Sequence, residues 1–303
     1  MATSNNVLLA FPNRSDVDAF YQPVFLPGYG NWQDTAPLTN LQNRFLAYKT
    51  RSIDCDPNNS QFVIDLGNPV SGQPATNRMI QVVVIPNHNV SRYGTYTVNT
   101  YTDAALTNQT STTTNQAWPV VFPYGSLAWE HESWLDGKLT PERGAFYPQP
   151  LLVVLPTAVL CRYVQVIVND PTNTAGYIEL SRLVCAPGWQ PSINMKYGAQ
   201  IGVNDHSIKT TSLGEVDFYD PRAKRRKAAF SIDYLPQNEA FGNALDMQIS
   251  QGLSGQIFFS YSPTDTANLN RLSFLATLTQ LDPLTAASYG YQGVSFNLEE
   301  VVG

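Results

Sequence analysis

Cysteine and histidine are scarce in this sequence, with three of each in 303 residues. Cys55, Cys161 and Cys185 are too few, and odd in number, for a disulfide framework. Cys161 and Cys185 would face each other if the strands around them pair, and the simpler expectation is two reduced thiols packed as small hydrophobes. His88, His131 and His206 lie far apart, and no G-x-S-x-G, H-E-x-x-H or C-x-x-C pattern occurs, which removes the common signatures of hydrolytic and metal-dependent catalysis. Charged residues make up only 14% of the chain, with a formal net charge of -6 and a pI near 5.0, which argues against nucleic acid as the main partner. The longest apolar stretch, 151–168, is broken by Pro156 and Arg162 and suits strands better than a membrane span. The opening MATSNNVLLAFPNRSD has neither the charged start nor the apolar run of a signal peptide, so folding in a cytoplasm is expected.

What is present is material for packed β-structure: 43% hydrophobic and 12% aromatic residues, with polar Thr, Asn, Gln and Ser between them. Residues 62–67 and 95–101 read as strands, and 80–85 is apolar throughout, as a strand buried on both faces would be. TNQTSTTTNQ reads as a long polar loop. Residues 151–155 and 162–168 follow as strands, and Tyr177-Ile178-Glu179-Leu180 reads as the returning strand of a closing hairpin. With no helix among them, these strands predict an antiparallel sandwich or jelly roll.

The Pro-Gly-Trp-Gln-Pro stretch at 187–191 marks a domain boundary. Beyond it, Phe230, Ile232 and Tyr234 alternate onto one face of a strand. A helix is expected over about 239–251, with Phe241, Leu245 and Ile249 as its apolar stripe and Gly252 as its C-cap. The predicted fold is therefore mostly β: an N-terminal arm or extra strands at 1–49, packing on the first domain or on a neighbour, a jelly-roll domain at 50–188, and a β-sandwich carrying one helix at 191–303.

The chemistry-bearing clusters are few. Trp129-Glu130-His131-Glu132-Ser133-Trp134 places a histidine between carboxylates, which would suit a metal or a raised imidazole pKa. In a strand, however, both glutamates point away from His131, and the expected arrangement is a polar edge with Trp129 and Trp134 packed inward. Asn169, Asp170 and Glu179 gather oxygen atoms around a turn, but Asp-Pro turn chemistry accounts for them without an ion. No catalytic residue, metal or cofactor is expected.

Two resemblances add to this reading. Phe62-Val63-Ile64-Asp65-Leu66-Gly67, the 80–85 strand leading into Asn87-His88-Asn89-Val90-Ser91, and Arg162-Tyr163-Val164-Gln165-Val166 followed by Gly176-Tyr177-Ile178-Glu179-Leu180 resemble the discoidin-like, galactose-binding-type jelly rolls. The resemblance covers about 50–188 and implies loops at one end that bind sugars or lipids, with Asn87, His88, Arg92, Tyr93, Trp32 and Trp129 as candidates. The same residue types suit protein contacts. The second domain, with LGEVDFYDPRAKRRKAAFSIDYL, the helix after it, LNRLSFLATLTQLDPL and the closing FNLEE, resembles tail-tip, distal tail and baseplate proteins of long, non-contractile-tailed bacteriophages.

That second resemblance implies a structural protein of the virion. It would assemble as a homo-oligomeric ring and link the tail to tail-tube, baseplate or fibre proteins during host attachment. A carbohydrate-binding module contacting a host-surface glycan is the alternative. The basic run Arg222, Lys224, Arg225, Arg226 and Lys227 is expected at a solvated hairpin tip, where it would contact an acidic patch of a neighbouring subunit. The acidic closing segment Glu299-Glu300 is one candidate counter-charge.

Overall fold

The computed structural model describes residues 5–145 and 149–302. In chain order the strands are β1 (Leu8–Ala10), β2 (Val24–Phe25), β3 (Lys49–Arg51), β4 (Gln61–Asp65), β5 (Arg78–Ile85), β6 (Asn87–His88), β7 (Thr95–Tyr101), β8 (Gln109–Gln116), β9 (Leu151–Cys161), β10 (Tyr163–Asn169), β11 (Glu179–Ser181), β12 (Val184–Ala186) and β13 (Gly188–Trp189). They continue as β14 (Gln200–Asn204), β15 (Ile208–Thr211), β16 (Asp217–Asp220), β17 (Arg225–Pro236), β18 (Gln256–Ser260), β19 (Ser273–Leu278), β20 (Thr285–Ser288) and β21 (Tyr291–Glu300). The fold is mostly β with antiparallel sheets, as the sequence predicts.

The first sandwich opposes a sheet in the order β2-β4-β10-β7-β8 to the short sheets β12-β5-β9 and β3-β11-β6. Phe62, Ile64, Val98, Val164 and Val166 from one layer meet Ile80, Val83, Ile85 and Val153 from the other. Each such side chain contributes about 1.5–3 kcal/mol on burial. A second sheet runs β13-β1-β18-β19-β21-β17-β14, with β20 on β21. Phe230, Ile232, Phe259, Phe274 and Phe296 fill its core.

The unbroken apolarity of β5 has a specific cause. A bulge between Ile80 and Val82 resets its register against β9. Val83 and Ile85 then face the first core, while Val82 and Val84 pack with Leu8, Ala10, Phe258 and Leu275 of the second sheet. The first sandwich and the C-terminal sheet therefore share an apolar contact. The N-terminal segment is part of it: residues 8–10, expected in an arm on the first domain or a neighbour, pair with β18 and β13 in the C-terminal sheet.

Several expectations are corrected. TNQTSTTTNQ holds the edge strand β8 rather than a loop, because threonine is β-branched and its hydroxyls bond across the pair, Thr97 to Thr114 at 2.9 Å and Thr112 to Asn99 Oδ1 at 2.7 Å. A polar edge also discourages further pairing. The strands β10 and β11 do not form a hairpin: β10 pairs with β4 and β7, whereas β11 crosses to β3 and β6. The crossing loop is fastened by Asp170, which accepts from the Ser91 amide and hydroxyl at 2.6 Å each and from Asn173 at 3.0 Å.

The helix turns a different face to the core. It runs through Gln237–Glu239, a π-helical turn at Ala240–Leu245, and Asp246–Gln251, ending at Gly252 with φ +54. Ala240, Ala244 and Met247 are buried, while Phe241 and Ile249 are 41% and 73% exposed. Small alanines let the helix backbone approach the sheet, and the π turn changes the register of the residues after it. In β17 a bulge between Ile232 and Leu235, with Tyr234 at φ +60, turns Tyr234 outward and Leu235 inward.

Cys161 and Cys185 remain free thiols, on β9 and β12 at either side of β5. Burial pushes the Cys161 thiol up to about 12 and that of Cys185 higher still.

Candidate functional site

The jelly-roll loop residues proposed for ligand contact are only partly brought together. Asn87 and His88 form β6, tied to Ser181 and Leu180. The His88 Nδ1 accepts from the Val90 amide at 3.0 Å, and burial holds the imidazole down at about 4, so it is neutral and turned into the protein. Trp32 donates its Nε1–H to the Gln61 carbonyl at 2.9 Å and packs edge-on against Phe62 at 6.1 Å. It is a structural side chain of the first core.

Arg92 and Tyr93 are better placed. The Arg92 guanidinium donates to Asp136 Oδ1 at 2.6 Å and the Lys138 carbonyl at 3.0 Å. The Tyr93 hydroxyl donates to Asp136 Oδ2 at 3.2 Å. Lys138 Nζ donates to the Arg92 carbonyl at 2.8 Å and lies 5.2 Å from the Tyr93 ring centroid. Partial burial lowers the Lys138 pKa. The Tyr93 ring itself stands in solvent. Asp136 and Lys138 carry no local signal in the sequence, because their partners lie 43 to 46 residues away.

Trp129 is 76% exposed, in a turn rather than a strand. The inward packing expected for Trp129 and Trp134 is not found, since both are exposed. Trp129 joins Tyr93 through no hydrogen bond or ring contact among the described residues. His131 packs on Phe122 at 5.9 Å and accepts from the Ser133 amide at 3.0 Å. Among the described residues no group of three or more His, Cys, Asp or Glu side chains is placed to hold a metal ion. Glu179, the other acid near Asp170, is taken by Lys49 at 2.5 Å and Arg51 at 2.7 Å.

The basic run is not a free hairpin tip, which corrects its expected placement: three of its residues begin a strand of the C-terminal sheet. Arg225, Arg226 and Lys227 begin β17, and Lys227 pairs in register with Glu299 of β21. Arg226 is buried, with its Nε donating to Glu300 Oε2 at 2.9 Å and Nη2 bonded to Oε1 of the same carboxylate. It also donates to the Asn270 carbonyl at 2.7 Å and lies over the Phe274 ring at 4.9 Å. Arg225 reaches Glu299 at 3.5 Å and Arg222 reaches Asp220 at 3.2 Å. Lys224 is exposed. The acidic closing segment is thus the counter-charge for Arg225 and Arg226, within one chain.

The true projecting element precedes it. The strands β15 and β16 pair only with each other, and every residue from 208 to 225 is exposed. Ile208, Leu213, Val216, Phe218 and Tyr219 are large apolar side chains in solvent. The hairpin is braced by its own cross-strand contacts, Lys209 to Asp217 at 2.7 Å and Thr211 to Asp217 at 2.7 Å.

A cleft of about 960 Å³ lies where the long helix, the 187–192 connection and the N-terminal segment meet the β5–β9 edge. Phe11, Met79, Trp189 and Ile249 line it, together with Arg14 and Asp246. Among the described residues no helix is long and apolar enough to cross a membrane.

No family profile matches the sequence, and no curated protein does. Among solved structures the chain is similar to CBM32-1 from a family 31 glycoside hydrolase of Clostridium perfringens, at 7% identity and a TM-score of 0.34, over 54% of this chain and 93% of that one. A likeness of that score carries no argument about function.

Proposed function

We propose that the chain is a structural subunit that self-assembles through its projecting hairpin, in a phage tail tip or baseplate of the kind its C-terminal sequence resembles. The exposed β15–β16 hairpin carries this reading. A lone two-stranded ribbon is marginal in water, and several large apolar side chains left in solvent on one element suit an interaction site. A head-to-tail contact that closes by rotation makes a ring. The first sandwich would then project outward to hold a fibre or another baseplate protein. Negative-stain imaging and mass photometry of the purified chain test this: closed rings support it, and a monomer at all concentrations contradicts it.

A second reading, a carbohydrate-binding module, is favoured by one observation. The exposed Tyr93 ring, with the Arg92, Asp136 and Lys138 polar groups around it, has the form of a sugar-stacking platform. Glycan-array binding that is abolished by Tyr93→Ala supports this reading, and an array with no hits removes it.

A further inference from the structure

The cleft offers apolar walls and the Arg14 cation, and the hairpin tip offers exposed apolar side chains beside a carboxylate. We propose that the hairpin tip of a second copy of this chain seats in the cleft, with its Glu215 carboxylate meeting the Arg14 guanidinium. This rests on the assembly reading above and names the contact that would make it.

Arg14 is the first observation. Its backbone amide donates to the Cys185 carbonyl at 2.6 Å, but its guanidinium makes no ion pair or hydrogen bond among the described residues, and its Nε is buried. The carboxylate that acts on it, Asp18, is held by Arg78 at 2.9 Å. Two guanidinium groups thus share one acid. A partly buried cation that shares its acid is incompletely compensated, and its pKa is lowered by burial and by Arg78. An incoming carboxylate would relieve both effects.

The tip supplies one. Between β15 and β16 the turn closes through Glu215 N–H to the Ser212 carbonyl at 3.0 Å and Ser212 N–H to the Val216 carbonyl at 2.9 Å. Glu215 sits at φ +59, a conformation that a non-glycine residue rarely adopts. Its carboxylate has no partner among the described residues. Leu213 and Val216 flank it in solvent, and the cleft walls offer Phe11, Met79, Trp189 and Ile249 to receive them. The volume lies within the roughly 300–1,000 Å³ of pockets that enclose a ligand. Asp246 on the helix wall repels a carboxylate, so the tip is favoured in one orientation, with Glu215 towards Arg14. Tip and cleft are different surfaces, so the contact is head-to-tail and propagates to a ring or a filament.

Charge reversal tests it, with assembly followed by mass photometry across a concentration series. Glu215→Arg, in an exposed turn, leaves the fold intact by circular dichroism and weakens assembly about tenfold or more. Arg14→Gln does the same, and an equimolar mixture of Glu215→Arg with Arg14→Glu recovers the assembly that each lacks alone. Wild-type protein that assembles while Glu215→Arg assembles equally well overturns the contact but not the assembly reading. Weakened single variants with no recovery on mixing also overturn it, since the two residues then do not meet. A wild-type chain that never assembles overturns the reading on which the contact rests.

Discussion

The guanidinium of Arg182 grips the carboxylate of Asp16 with two bonds, Nη1 to Oδ1 at 2.6 Å and Nη2 to Oδ2 at 2.7 Å. Arg182 is 1% exposed. Its remaining donors reach the Gln42 carbonyl at 3.0 Å and Gln256 Oε1 of β18 at 2.9 Å. One buried side chain therefore ties the N-terminal segment and the first sandwich to the C-terminal sheet. Asp16→Ala leaves that cation unpaired and is expected to cost about 3–5 kcal/mol of unfolding free energy in urea. Asp233→Ala, which breaks an exposed pair with Lys196, is expected to cost at most about 1 kcal/mol.

Arg226 and Glu300 make a second buried pair. Arg226→Glu places like charges together inside the protein and is expected to lower stability by about 3–5 kcal/mol or more. Lys224→Glu, at an exposed neighbour in the same basic run, should shift it by no more than about 0.5 kcal/mol. Chemical denaturation of the two variants side by side separates an internal role from a purely surface one.

The helix offers a comparison between its faces. Met247→Ala opens a cavity in the second core, where the side chain is fully buried, and is expected to cost about 2–5 kcal/mol. Ile249→Ala removes an exposed side chain and should cost under about 0.5 kcal/mol. Equal losses in the two variants would mean that the helix packs by the simple spacing of its apolar residues.

His88 makes stability depend on pH. Its folded pKa is about 4, below an unfolded value near 6.5, so between these two values the unfolded chain binds more protons. Stability therefore rises with pH through this window and is weakened as the pH falls from about 6.5 towards 4, by an amount on the order of 3 kcal/mol for full titration. Replacing it by Asn, which cannot titrate, should flatten the slope of unfolding free energy against pH in that window.

Strands were legible where apolar or β-branched residues run together, as in β4, β5, β7 and β10. Their partners were less so. Asp170 with Ser91, and Arg226 with Glu300, lie 79 and 74 residues apart, and no local pattern encodes such a meeting. The Thr-rich β8 carried the composition of a loop, because an edge strand needs little apolar surface. Phe241 and Ile249 kept a helical spacing that a π turn and two small alanines made irrelevant to burial. In the candidate loops, Arg92 and Tyr93 stand out by their chemistry, but their partners Asp136 and Lys138 emerge only from the fold. Val216 and Phe218 alternate like the buried side of a strand, so their exposure on a projecting hairpin could be seen only in three dimensions.

The most direct test of the account is the solution mass of the wild-type chain compared with a variant in which residues 208–220 are replaced by a short Gly-Ser turn. The account predicts rings or higher oligomers for the wild type and a folded monomer for the shortened chain. A shortened chain that assembles like the wild type, or a wild type that remains monomeric, would contradict it.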